Sequence, residues 1–193
     1  MDKKYKIKLK NVLLHLGTVN KHRWIVFKLA CRAGIPWRGL VHDLSKYSPT
    51  EFWNSVKYYQ GGKRSPIPIQ RAEEGYSEVW LHHKGRNKHH PEYWFDKDAR
   101  EKTPIIPYKY TVEMICDKLS ASITYQGKNW TNETELKYWR EKEFNSSMIN
   151  ENIKKILDEV FIEISQKGIN PVIKSSNLKK IYNKYCGRES REN

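Results

Sequence analysis

Residues 22–52 read HRWIVFKLACRAGIPWRGLVHDLSKYSPTEF, and this stretch decides the fold class that we expect. Apolar residues recur at steps of three and four residues before Gly34, which is the spacing of a helix with one buried face. Gly34 is typical of a helix end and Pro36 of a helix start. In Ser48-Pro49-Thr50-Glu51, Ser48 can cap a third helix and Glu51 can close a capping box. The stretch therefore predicts three consecutive helices.

The same helical spacing continues through most of the chain, and no segment shows a convincing strand pattern. We expect an all-α helical bundle, with an irregular segment at about residues 84–107 and a linker at Gly168. The domain boundaries that follow are 1–167 for a helical domain and 168–193 for a short basic helix and polar tail. The predicted helices span about residues 8–33, 36–44, 49–59, 69–83, 108–126, 132–144, 148–166 and 177–185.

Size and charge limit the function. A chain of 193 residues suits one domain with a sizeable core, and a net charge of +14 favours anionic partners such as phosphates, nucleotides or nucleic acid. The three cysteines are far apart and odd in number, which argues against a disulfide framework and a zinc ribbon. The first residues resemble no signal peptide, and no apolar run is long enough to span a membrane. We expect a cytoplasmic protein.

Two histidines and two aspartates have the positions of a metal site. His22 lies in the middle of the first helix, and His42-Asp43 ends the second. Asp117 lies within a later apolar helix, where an ionised carboxylate is costly unless it is paired or bound to a cation. Two imidazoles and two carboxylates suit Mn, Fe, Co, Ni or Zn better than Mg, which prefers oxygen ligands. We therefore predict a site for a divalent transition metal.

The order of these residues resembles the HD superfamily of metal-dependent phosphohydrolases, in which a histidine precedes an HD pair and a lone aspartate follows it. The motifs HDLSK, HHKGRNKHH and YTVEMICDKLSASITYQG, at residues 42–46, 82–90 and 110–127, are also similar to a small bacterial and phage family. This likeness covers about residues 8–165. It implies an HD-domain-like all-α fold and the hydrolysis of phosphate esters, often those of nucleotides.

The resemblance also implies a ligand set. His22, His42, Asp43 and Asp117 would hold one metal ion. Many members of the superfamily bind a second ion through two further histidines, with the aspartate of the HD pair bridging both ions. That part falls here to His83 and His90, with His82 and His89 as the alternatives.

Three further residues have expected roles at the reacting phosphate. Lys46 matches a lysine that faces the substrate anion in a variant of the HD motif, although Ser45 stands here in place of the glycine. Lys46 and Arg86 would neutralise phosphoryl oxygens as charge shifts in the transition state. Glu51 would move a proton.

These observations predict a metal-dependent phosphoric ester hydrolase that acts on a nucleotide or related small phosphate ester and binds one or two divalent ions. The first alternative is a two-iron oxygenase of the HD type. The second is a basic nucleic-acid-binding protein with a structural metal. A small phosphate-bearing substrate is the expected partner, and nucleic acid and a second copy of the chain are further candidates. We expect no membrane partner.

Overall fold

A computed structural model describes residues 5–187, which form ten α-helices and no strand. This confirms the predicted all-α class. No helix of this described part is both long and apolar enough to cross a membrane. The helices, numbered α1 to α10 in chain order, span Leu9–Ala33, Pro36–Val41, Pro49–Lys57, Ile67–Glu74, Glu78–Lys84, Tyr108–Gln126, Thr134–Tyr138, Glu151–Lys167, Ile169–Val172 and Ser175–Cys186.

The hydrophobic core lies between α1, α6, α8 and α10. Each of these helices places one apolar face against the others, as their spacing predicts. The side chains at the centre have lost nearly all contact with water, and burial of this kind is the main stabilising force in a small domain. The most deeply buried members include Val26, Ile115, Leu119, Trp139, Ile153, Leu157, Phe161 and Leu178.

Helices α1 and α2 form a tight hairpin. Gly34 has a left-handed backbone (φ +80°) and ends α1, and Pro36 begins α2, as the sequence predicts. At Gly39 the two helices approach so closely that a Cβ would lie 2.5 Å from the Cβ of Ala30. Arg23 of α1 donates hydrogen bonds to the carbonyl oxygens of Leu40 and His42, which lie at the end of α2. The hairpin thus fixes the end of α2 beside the middle of α1.

Some element boundaries differ from the prediction. The helix expected at about residues 69–83 is two helices, because Gly75 (φ +80°) ends α4 and the Ser77 side chain caps α5. The helix expected at 132–144 begins as α7 and continues as a π-helical turn over Trp139–Glu143. The next helix begins at Glu151 rather than at residue 148, because Asn150 caps it.

The segment after Gly168 packs onto the rest of the molecule. The break expected at Gly168 occurs between α8 and α9. Beyond it, Val172, Leu178 and Ile181 are buried in the same hydrophobic core as α6 and α8. The boundary proposed after residue 167 thus falls at a helix end, and the helices that follow share one core with the helices before it. The polar tail predicted at the end of the chain lies mostly in residues 188–193, outside the described residues.

Candidate metal centre

His22, His42, Asp43 and Asp117 converge as the sequence predicts. One nitrogen or oxygen atom of each of the four side chains lies within 4.8 Å of the corresponding atoms of the others. His22 Nε2 lies 3.0 Å from Asp117 Oδ1 and 3.4 Å from His42 Nε2. His42 Nε2 lies 3.2 Å from Asp43 Oδ2. Nitrogen and oxygen atoms at these separations can ligate one transition-metal ion.

The backbone at Asp43 explains how two consecutive residues face the same point. Successive side chains of a helix diverge by about 100°, so His42 and Asp43 could not both face one ion inside a regular helix. Helix α2 ends at Val41, and Asp43 then adopts a left-handed backbone with φ +53°. Asp43 is the only non-glycine residue with a positive φ in residues 5–187. Strained backbone of this kind occurs often at functional sites.

A second group of ligands adjoins the first. Asp43, His83, His89 and His90 also offer atoms within 4.8 Å of one another. His83 Nε2 lies 3.4 Å from Asp43 Oδ1, and His89 Nε2 lies 3.5 Å from the same oxygen. The sequence favoured His83 and His90 and kept His82 and His89 as alternatives. The structure brings His83, His89 and His90 together and leaves His82 out of the group.

Asp43 joins the two groups. Its Oδ2 faces His22 and His42, and its Oδ1 faces His83 and His89. Burial alone would raise the pKa of the Asp43 carboxyl, but His42 and Lys46 hold it well below its usual range. The carboxylate therefore stays ionised, with one oxygen available to each group.

Two buried glutamates orient the imidazoles by contacts with their Nδ1 atoms. Glu113 accepts hydrogen bonds from His42 Nδ1 (3.0 Å) and from Arg38 Nε (2.7 Å), and its Oε1 lies 3.3 Å from His89 Nδ1. Burial alone would raise the pKa of the Glu113 carboxyl, but the hydrogen bond from His42 and the nearby imidazole of His89 lower it to about 2. The bond to Nδ1 leaves Nε2 of His42 free to face an ion. Glu113 was not among the predicted site residues, although its place four residues before Asp117 on a buried helix face is a signal for it.

Glu51 lines the cavity and contacts two histidines of α5. Its carboxylate lies 2.6 Å from His82 Nδ1 and 2.8 Å from His83 Nδ1, and it is 1% exposed. It therefore orients His83 toward Asp43. It forms only half of the expected capping box, since its backbone N–H donates to Ser48 while its carboxylate binds the two histidines.

The chemistry of this donor set fits metal ions. His89 Nε2 and His90 Nε2 are buried, and neither forms a hydrogen bond within residues 5–187. A buried polar atom without a partner is costly, and a cation between these nitrogens and the carboxylates would satisfy them.

A comparison with protein families identifies the chain. A model described as a family of unknown function (DUF5662) matches residues 11–162, which is most of the chain. The chain belongs to the DUF5662 family. Comparisons with curated proteins and with solved structures give no match. All eight residues of the two ligand groups and of the Glu113 contact lie within the part that the DUF5662 model matches.

The candidate metal centre of this DUF5662 chain opens onto a cavity of about 710 Å³. His22, His83, His90 and Asp117 line it on the side of the ligands. Lys46 lines it as well, with Nζ 2.7 Å from Asp43 Oδ2. Burial alone would lower the pKa of Lys46, but Asp43 and Asp117 raise it, so the ammonium group stays charged.

The structure does not bring Arg86 to the cavity. Helix α5 ends at Lys84, and Arg86 follows in an exposed turn, with its guanidinium directed at the carbonyl oxygen of His82. Two cations that sequence analysis did not single out, Lys63 and Arg64, line the cavity instead. Their position at the cavity depends on the path of residues 60–66 in the folded chain. The sequence of this segment has no feature that separates it from other basic loops.

Proposed function

We propose that this chain is a metal-dependent phosphohydrolase that acts on a nucleotide or a related small phosphate ester. The observation that carries the proposal is the pair of ligand groups that share Asp43 and open onto the cavity beside Lys46. The resemblance of the His22, His42-Asp43 and Asp117 order to the HD superfamily supports it. The cysteine usage supports the further expectation that the enzyme works in the cytoplasm.

His22, His42, Asp43 and Asp117 would hold one divalent transition-metal ion, and Asp43, His83, His89 and His90 a second. Such ions acidify water to supply a nucleophile near neutral pH and polarise a phosphoryl oxygen. The choice among Mn, Fe, Co, Ni and Zn stays open in this proposal, because mixed imidazole and carboxylate ligands suit all five.

The chain's own residues bind and position the substrate. Lys46 binds a phosphoryl oxygen and offsets the negative charge that shifts during P–O cleavage. Glu51 and Glu113 fix the ring orientation of the histidines, so that the ligand atoms need little rearrangement when the site is loaded. The cavity volume lies in the range of sites for small ligands of nucleotide size.

The first experiment measures metal content and hydrolysis together. The full chain is purified without chelator, its transition metals are quantified by mass spectrometry, and phosphate release is screened over nucleotides and simple esters. We expect about one or two ions per chain, with activity lost on chelation and restored by the same metal. Asp43→Asn and His42→Ala should lose both metal and activity, while Asp98→Asn, at a carboxylate 83% exposed, should lose neither.

Two results would contradict the proposal. Wild-type metal content in both Asp43→Asn and His42→Ala would show that the metal centre is elsewhere. Oxygen consumption by iron-loaded protein, with no phosphate released from any ester, would favour the oxygenase alternative.

A further inference from the structure

The cavity extends well beyond the metal centre along α1. His22 and His15 both line it and are seven residues apart, which corresponds to about 10 Å along a helix. Thr18 lies between them on the same wall. A single phosphate group bound beside the candidate metal ligands would leave the part of the cavity near His15 empty. The length of the cavity therefore fits a longer substrate.

His15 is a polar side chain without a partner on this wall. It is 7% exposed, packs against the rings of Phe52 and Tyr59, and its Nδ1 is buried without a hydrogen bond from any described residue. Burial, together with the charge of Lys46, lowers the pKa of His15 to about 4, so the ring is neutral at pH 7. A neutral imidazole offers one N–H donor and one acceptor, and a buried imidazole without a partner indicates a ligand.

The segment opposite His15 is held in place by contacts to α1. Tyr59 Oη lies 2.9 Å from Thr18 Oγ1. Gly62, with φ +74°, passes so close to this pair that a Cβ would lie 3.1 Å from Tyr59 Oη and 3.4 Å from Thr18 Oγ1. The Ser65 side chain lies beside Tyr125 of α6, close enough to oppose the effect of burial, which raises the pKa of the Tyr125 phenol. These contacts place the two residues between Gly62 and Ser65 at the cavity.

Those two residues, Lys63 and Arg64, are cations without carboxylate partners. Both line the cavity, and neither forms an ion pair within residues 5–187. Two other lysines of the cavity differ, since Lys46 is paired with Asp43 and Lys118 with Glu143. Lys142 also lines the cavity, and it too forms no ion pair within residues 5–187. Lys63 and Arg64 are exposed at the edge of the cavity. Unpaired cations at such a position favour an anionic group of the ligand, and an arginine can bind two phosphate oxygens at once.

We propose that Lys63, Arg64 and His15 bind a second phosphate group of the substrate, so that the substrate is a di- or polyphosphate rather than a monoester. Lys46 is near both the candidate metal centre and this subsite, because it contacts Asp43 and is close enough to His15 to influence its protonation. The inference rests on the proposed function for the position of the reacting phosphate. It adds the number and placement of the phosphate groups.

The test compares two probes that cannot be hydrolysed. Methylphosphonate carries one anionic phosphorus group, and methylenediphosphonate carries two. Binding of each to the full-length, metal-loaded protein is measured by calorimetry with excess Mg²⁺, so that the diphosphonate does not extract the bound metal. We expect the wild-type protein to bind methylenediphosphonate at least ~10-fold more tightly than methylphosphonate.

Variants assign that preference to the proposed subsite. Lys63→Ala with Arg64→Ala should weaken binding of methylenediphosphonate by ~10-fold or more and binding of methylphosphonate by less than ~3-fold. His15→Phe should reduce the same preference while keeping the contacts with the neighbouring rings. The matched control is Arg100→Ala with Lys102→Ala, which removes the same charge from an exposed segment away from the cavity and should change neither affinity.

Two outcomes would overturn this inference. Equal affinity of the wild-type protein for the two probes would show that no second phosphate is bound. Dependence on Lys63 and Arg64 for binding a single-stranded oligonucleotide, but not methylenediphosphonate, would assign these cations to nucleic acid. Neither result requires turnover, so the failure of this inference is distinct from a failure of the proposed hydrolase activity, which metal content and phosphate release decide.

Discussion

Among single residues, Glu113 contacts a histidine of each ligand group. Its Oε1 lies close to Nδ1 of both His42 and His89, and its Oε2 binds Arg38. Both histidines therefore turn Nε2 toward Asp43 and Asp117, with distances between 3.2 and 3.7 Å. One buried carboxylate thus sets the orientation of an imidazole in each group.

The change Glu113→Gln tests this positioning role. The amide accepts hydrogen bonds at only one of its two terminal atoms, so it cannot hold Arg38 and the two histidines at once. The rings of His42 and His89 then lose a fixed orientation, and metal affinity should fall by about 10- to 100-fold. The affinity is measured by competition with a chromophoric chelator, and circular dichroism checks that the helices persist. Glu101→Gln, at an exposed position, is the matched control. Unchanged affinity in Glu113→Gln would remove Glu113 from the account of the site.

Among the helices, the packing of α1 against α2 brings the residues of the first ligand group together. His22 belongs to α1, and His42 and Asp43 follow the last turn of α2. Gly39 permits the close approach of these helices, since a Cβ there would lie 2.5 Å from Ala30 Cβ and 3.0 Å from Phe27 Cα. Any separation of the helices moves His42 and Asp43 away from His22.

Gly39→Ala is therefore expected to reduce both stability and metal content. The added methyl group overpacks the contact, at a cost of about 1–3 kcal/mol in the free energy of unfolding, and displaces the end of α2. Urea denaturation and metal analysis measure the two effects. Gly17→Ala serves as control, because no atom lies within 4 Å of a Cβ at this mid-helix position, and alanine there should stabilise α1 by about 0.5–1 kcal/mol. Wild-type stability and metal content in Gly39→Ala would refute the argument.

At the scale of the whole molecule, one buried acid makes stability depend on pH. Glu135 is 3% exposed, and burial raises its pKa to about 8, with Lys118 opposing the shift and Glu143 adding to it. The carboxyl of an unfolded chain ionises near pH 4.5, the ordinary value for glutamate. Between pH 4.5 and 8 the folded protein keeps a proton that the unfolded chain loses, so stability from this group falls as pH rises.

Replacing Glu135 with glutamine should remove this dependence. The unfolding free energy of Glu135→Gln, relative to wild type, should rise with pH between about 4.5 and 8, by up to about 1.4 kcal/mol per pH unit, and level off above pH 8. Denaturant titrations at several pH values measure the difference. Glu133→Gln, at a side chain 61% exposed, should give a curve parallel to that of the wild type. A parallel curve for Glu135→Gln would show that its pKa is not raised.

The helical class, the turn between α1 and α2, and the four residues of the first candidate ligand group could be predicted from the amino-acid sequence. Each rests on local information: apolar spacing sets a helix, Gly34 and Pro36 punctuate it, and an aspartate such as Asp117 on an apolar helix requires a partner. The prediction of one helix at 69–83 was wrong, because the apolar spacing continues across Gly75. The left-handed backbone of Gly75 ends α4 there.

The remaining groups of the candidate metal centre and of the cavity come together only through contacts between helices that are distant in the chain. His83, His89 and His90 lie next to Asp43, whereas His82 does not. Glu51, which is distant from them in the sequence, binds His82 and His83, and the turn after α5 positions His89 and His90. Glu113 is separated from His42 by 71 residues, and Lys63 and Arg64 reach the cavity through a loop held against α1 and α6. Helical periodicity reports which face of an element is apolar, but the partners of a buried polar atom come from other elements, and only the folded chain brings them together.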